Sequence, residues 1–118
     1  MHVSQHRGHV QARRFDEPDE VYTFDDGKSA ADILTIGDQT VVRSRLAPGW
    51  SWDELVKPMT DGWTSCLESH REYVVSGRIR YVMEDGHETI AEAGSYVDIP
   101  PGHRAWVVGD EECVLIDW

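Results

Sequence analysis

Cys66, Glu68 and His70 recur at alternate positions in the stretch CLESH, and a further histidine, His103, follows the Pro100-Pro101-Gly102 turn. Alternate side chains share a face of an extended strand, so an unbulged strand here would aim the first three donors the same way and let them converge on one ion. His103 would have to reach that ion from its turn. A thiolate with two imidazoles and an open position suits Zn²⁺ or Fe²⁺ better than Mg²⁺ or Ca²⁺, because sulfur is a soft donor. With Glu68 added, the set also accommodates Mn²⁺ or Ni²⁺. Each residue has an ordinary reading as well: Cys66 as a buried thiol, His70 as a hydrogen-bonded interior histidine, His103 as the cap of its turn, and Glu68 as a solvated partner of Arg71 or Arg78. Cys66 beside a histidine is also the composition of a thiolate–imidazolium nucleophile. No neighbouring sequence marks an oxyanion hole, so the metal reading is preferred.

The elements that must position these residues read as strands. The runs 73–76 and 78–84 are β-rich and separated by Gly77, and Asp85-Gly86 is a two-residue hairpin signal because that turn needs positive φ. Upstream, a short strand is expected over 21–24 and a turn at Asp26-Gly27. The run 30–36 reads as a helical turn or a strand; because Gly37-Asp38 follows and 40–46 alternates, a hairpin with arms 30–36 and 40–46 is favoured. The segment 46–59 opens on a Pro-Gly turn and is read as extended, with Trp50 and Trp52 on one face. Breaks recur about every eight residues from Gly77 onward, a spacing that suits an all-β sandwich or barrel and leaves little room for helices.

On these residues the chain resembles the cupin family. Its first motif is His-x-His, three or four residues, Glu, six residues, Gly. With the glycine set on Gly77, the Glu position falls on His70 and the two His positions on Thr64 and Cys66. The second motif is Gly, five residues, Pro-x-Gly, two residues, His, three residues, Asn. Gly94, Pro100 and Gly102 match in register, while the His and Asn positions fall on Ala105 and Gly109, with His103 two residues early. The resemblance runs from about Leu46 to Trp118. It implies an all-β, single cupin-type β-barrel (a double-sheet jelly roll) over residues 15–118, preceded by a flexible lead-in over residues 1–14. It also implies a divalent transition metal on Cys66, His70, His103 and Glu68, and Trp52, Tyr81 and Trp106 as walls of a substrate pocket. Cupins include oxygenases, isomerases, epimerases and decarboxylases, so the expected function is a metal-dependent enzyme acting on a small molecule, of oxygenase or isomerase type. The alternative is a non-catalytic small-molecule-binding or sensing cupin. A homodimer through edge or exchanged N-terminal strands is expected, with residues 10–24 as the exchanging arm.

The composition narrows the classes further. The 118 residues fit one domain, and a formal net charge of -11 argues against nucleic acid or anionic membrane as a partner, since both need a positive surface. No apolar run approaches the length of a bilayer span, and the polar N-terminus, with His2, His6 and His9, lacks the apolar core of a secretory signal; a cytoplasmic location is expected. Two cysteines are too few for a disulfide framework, and Cys113, within CVLIDW, reads as a buried small hydrophobe. The carboxylate runs 16–20 and 110–112 read as solvated surface.

Overall fold

The computed structural model describes residues 8–118; His2 and His6 lie outside the described residues. Nine strands are formed among them: β1 (Glu20–Thr23), β2 (Ala30–Ile36), β3 (Gln39–Leu46), β4 (His70–Ser76), β5 (Arg78–Met83), β6 (Glu88–Glu92), β7 (Tyr96–Ile99), β8 (His103–Val107) and β9 (Cys113–Asp117). They pair antiparallel into a six-stranded sheet, β1-β2-β3-β9-β4-β7, and a three-stranded sheet, β6-β5-β8. From β4 onward the chain crosses repeatedly between the two sheets, with the β5–β6 hairpin kept within the smaller one, as in a jelly-roll sandwich. Among the described residues no ladder joins the two sheets into a closed barrel.

The expected hairpins are present. β2 and β3 pair from Ile36–Gln39 back to Ala30–Arg45, and β5 and β6 fold at Gly86, whose φ is 91°. Gly77 has a different role from a hairpin turn. It carries the chain from the large sheet into the small one with φ 75°, and a Cβ there would lie 2.6 Å from the Glu112 carbonyl oxygen and 2.7 Å from the Cys113 Cα. Only glycine satisfies both the dihedral and the close approach. The core between the sheets holds Leu46, Val74, Ile79, Ile99 and Leu115, each nearly inaccessible to solvent. Cys113 is fully buried there, as expected of a small apolar side chain, and burial pushes its thiol up to about 12.

The segment after β3 departs from the extended reading. Trp52–Leu55 is one α-helical turn, α1, followed by a 3-10 turn over Lys57–Met59. Ser51 caps it: its hydroxyl accepts from the Glu54 N–H at 3.2 Å, and Glu54 stands three residues on as in a capping box. The same segment still buries both Trp50 and Trp52 against the core.

Ahead of β1, Arg13 donates to the Thr35 carbonyl at 2.8 Å and pairs with Asp19, and Gln11 accepts from the Gly37 N–H, so this stretch lies along the β2–β3 hairpin of its own chain. On the outer face of that hairpin, Asp32 accepts from Arg43 Nε at 2.9 Å and from Arg45 Nε and a terminal nitrogen, each at 2.8 Å. Among the described residues no helix is long and apolar enough to cross a membrane.

Candidate metal centre

Two backbone hydrogen bonds set the site. The Cys66 N–H donates to the His103 carbonyl at 2.8 Å, and the Cys66 carbonyl accepts from Gly102 at 2.7 Å, so an isolated bridge clamps Cys66 against the start of β8. Gly102 reaches this position with φ 97°. His70 is the first residue of β4 and lies opposite Ile99 of β7, which aims its side chain into the sandwich. In consequence Cys66, His70 and His103 each offer one donor atom, all within 4.8 Å of one another.

The protonation pattern of this group follows from its partners. His103 Nδ1 lies 2.8 Å from the Pro100 carbonyl oxygen, which can only accept, so Nδ1 carries the hydrogen and Nε2 keeps its lone pair. Burial, and then the neighbouring His70, keep His103 neutral by pulling its pKa down against that carbonyl bond. His70 Nδ1 donates to Asp117 Oδ2 at 3.1 Å, leaving Nε2 turned toward Cys66 Sγ at 3.7 Å. The hydrogen bond to Asp117, opposed by burial and assisted by Cys66, raises His70 to about 9. A carboxylate on the far nitrogen of a histidine fixes its tautomer and strengthens it as a ligand. The Cys66–His70 spacing of 3.7 Å also suits an ion, since a tetrahedral zinc with S and N bonds of about 2.3 and 2.0 Å sets sulfur and nitrogen about 3.5 Å apart. A soft thiolate and two imidazoles with one position to spare therefore fit a divalent transition metal in chemistry, with all three donors within 4.8 Å of one another.

A second group, His70, Glu72 and Asp117, shares the first histidine. Its carboxylates are already committed: Asp117 to His70, and Glu72 to the Tyr81 hydroxyl, which donates at 2.7 Å. Burial pushes both Glu72 and Tyr81 up, opposed at Glu72 by the Tyr81 hydrogen bond. These two acids were not among the sequence candidates. Glu72 has the parity of His70 on β4, and Asp117 has that of Cys113 and Leu115 on β9; a carboxylate inside the apolar run CVLIDW was the available signal.

The expected residues do not all gather here. Glu68 is exposed and lies outside the three-donor group. Residues 67–69 belong to no strand, because β4 begins only at His70, so the alternation that would have aligned Glu68 with its neighbours does not operate. Its side chain instead helps line a cavity of about 600 Å³ that opens from the donor group. Trp52 and Tyr81 line that cavity, as do Trp50 and Trp63. Trp106 does not: on β8 the buried positions are His103, Ala105 and Val107, so Trp106 points outward, where the Arg80 and Arg104 guanidinium groups lie 5.2 and 4.8 Å from its ring centre. Ala105, at the family's usual histidine position, is buried on the cavity wall on the same face as His103.

No protein-family model matches the chain, and no curated protein matches it. Solved structures do. A cupin-like protein from Thermotoga maritima superimposes with a TM-score of 0.52 at 21% identity, over 75% of this chain and 65% of its own. An RmlC-like cupin from Shewanella frigidimarina does so with 0.54 at 20% identity, over 83% and 79%. The chain has a cupin fold. HppE, in its Fe(II) form, aligns over 98% of this chain and 62% of its own with a TM-score of 0.64 at 11% identity. Identities this low establish the fold alone.

Proposed function

We propose that this cupin holds a divalent transition metal, zinc or iron before manganese or nickel, on Cys66, His70 and His103, and acts as a metal-dependent enzyme on a small molecule, of oxygenase or isomerase type. The observation that carries the reading is the convergence of three suitable donors within 4.8 Å at the end of a cavity. An iron(II) structure among the neighbours supports a metal of that class. Such an ion supplies Lewis-acid polarisation of a substrate oxygen or a redox centre for dioxygen chemistry. The chain's own residues do the rest. Asp117 orients His70, the Pro100 carbonyl fixes the His103 tautomer, and the walls around Trp52 and Tyr81 exclude water from the bound molecule.

The cavity supports a second reading, a binding or sensing protein without turnover, because its walls are shaped independently of the metal. Substituting Cys66 abolishes turnover in the first case and alters only binding in the second. We further propose that residues 15–118 form the whole cupin unit and that the chain works in the cytoplasm as a homodimer. Exposed Tyr73, Val75, Tyr96 and Trp118 support an interface, and a monomer in light scattering at micromolar concentration would refute it.

Metal analysis by mass spectrometry on tag-free protein tests the main reading. About one transition ion per chain is expected, and both Cys66→Ser and His70→Ala are expected to lose it. A wild-type protein that carries no metal and cannot be loaded with one would end the enzyme reading in this form.

A further inference from the structure

The cavity is lined by acids and aromatic rings and, among the described residues, by no lysine or arginine. Asp61 and Glu68 are exposed at its wall and make no hydrogen bond or ion pair among the described residues, while Glu72 and Asp117 stand at the histidine end. The rings of Phe24, Trp50, Trp52, Trp63 and Tyr81 line the same cavity. Phe24 and Trp50 meet edge to face with ring centres 5.8 Å apart.

An anionic ligand entering this space would find only His70 as a cationic partner, and that ring is already paired with Asp117 at 3.1 Å, so leaving water would be costly. A cationic one would meet aromatic rings that attract positive charge and the Asp61 and Glu68 carboxylates, which have no counterion among the described residues. The divalent ion proposed above does not supply the missing cation: held by a thiolate beside the Asp117 carboxylate, it forms a unit close to neutral. The formal net charge of -11 adds a field of the same sign, drawing cations toward the molecule and repelling anions.

The geometry points to an organic cation as the ligand class of this cavity: a small amine in its ammonium form, carried on an apolar, ring-sized body. This rests on the reading of the cavity as the substrate site and adds the charge that it selects.

Three probes of one shape separate the charges: phenethylamine, 2-phenylethanol and 3-phenylpropionate, titrated calorimetrically at pH 7 into the full chain, both metal-free and zinc-loaded. Phenethylamine is expected to bind about tenfold or more tighter than phenylpropionate, with phenylethanol between. The preference should shrink in salt and in Asp61→Asn with Glu68→Gln, two exposed positions whose replacement leaves the core intact. Phenylpropionate binding as tightly as the amine, or no binding by any of the three, overturns the inference. The two readings fail separately. A cation preference in a protein that takes up no metal keeps the ligand class and removes the metal, whereas metal uptake with an anion preference does the reverse.

Discussion

The Asp32 cluster and the Cys66–His70–His103 cluster are finished to different degrees. Asp32, with its side chain only 3% exposed, has both oxygens occupied by Arg43 and Arg45. Arg43 in turn donates to the Phe15 carbonyl and to Asp16, so the cluster also ties the N-terminal segment to the large sheet. At the other cluster the outer atoms are fixed, His70 by Asp117 and His103 by Pro100, while the inner ones converge on one another. Among the described residues His103 Nε2 makes no hydrogen bond. A cluster whose groups are all paired with fixed partners holds the fold; one that leaves an oriented lone pair, that of His103 Nε2, without a hydrogen bond can accept something else.

Removing a donor from the open cluster should have the largest effect. His103→Ala deletes a direct ligand, so metal content after dialysis should fall to background while the circular dichroism spectrum keeps its β signature. Retention of the ion at wild-type affinity would remove His103 from the set. In the paired cluster, Asp32→Ala should cost about 2–3 kcal/mol in urea unfolding, since it breaks charge-assisted hydrogen bonds at a buried carboxylate, and should leave metal binding unchanged. The sign of its pH dependence is determined. The Arg45 hydrogen bond, opposed by burial and assisted by Arg43, holds the Asp32 carboxyl below the usual range. Its contribution is therefore present above the unfolded aspartate pKa of about 3.9 and lost as pH falls through the lower folded value. Asp32→Asn should flatten that acid limb.

Between these lies Asp117, which touches the open cluster from behind. Asp117→Asn should weaken metal affinity about 10–100-fold without abolishing it, the usual consequence of losing an outer-sphere partner. A loss as complete as that of His103→Ala would make Asp117 a direct ligand and favour the alternative group with Glu72.

The contrast explains which parts of the chain were legible. The hairpins at Gly37-Asp38 and Asp85-Gly86 were readable because turn chemistry and two-residue alternation are local. Cys66, His70 and His103 could be singled out because sulfur and imidazole are rare and the cupin spacing survives around Gly77, Pro100 and Gly102. Glu68 was misplaced because parity was carried through residues 67–69, which join no strand. The Trp50–Trp52 alternation suggested an extended segment and outweighed Ser51 and Glu54, whose capping pattern marks α1. Asp32 acquires its meaning only from Arg43 and Arg45 on β3, which no local pattern announces, and Asp117 left only the hint of a carboxylate inside CVLIDW, with its partner His70 on another strand.

Trp106 gives the smallest test and the one most specific to strand parity. It was a candidate cavity wall on aromatic character, yet β8 turns His103 and Ala105 inward and Trp106 outward, between Arg80 and Arg104. Both guanidinium groups keep carboxylate partners of their own, Glu88 and Asp53, so removing the ring does not strand a charge. Trp106→Ala should therefore cost about 1–2 kcal/mol, the sum of two partly exposed cation–π contacts, and leave both metal content and phenethylamine affinity at wild-type values. A fall in amine affinity with stability unchanged would place the ring on the cavity after all and reverse the assignment of the β8 faces.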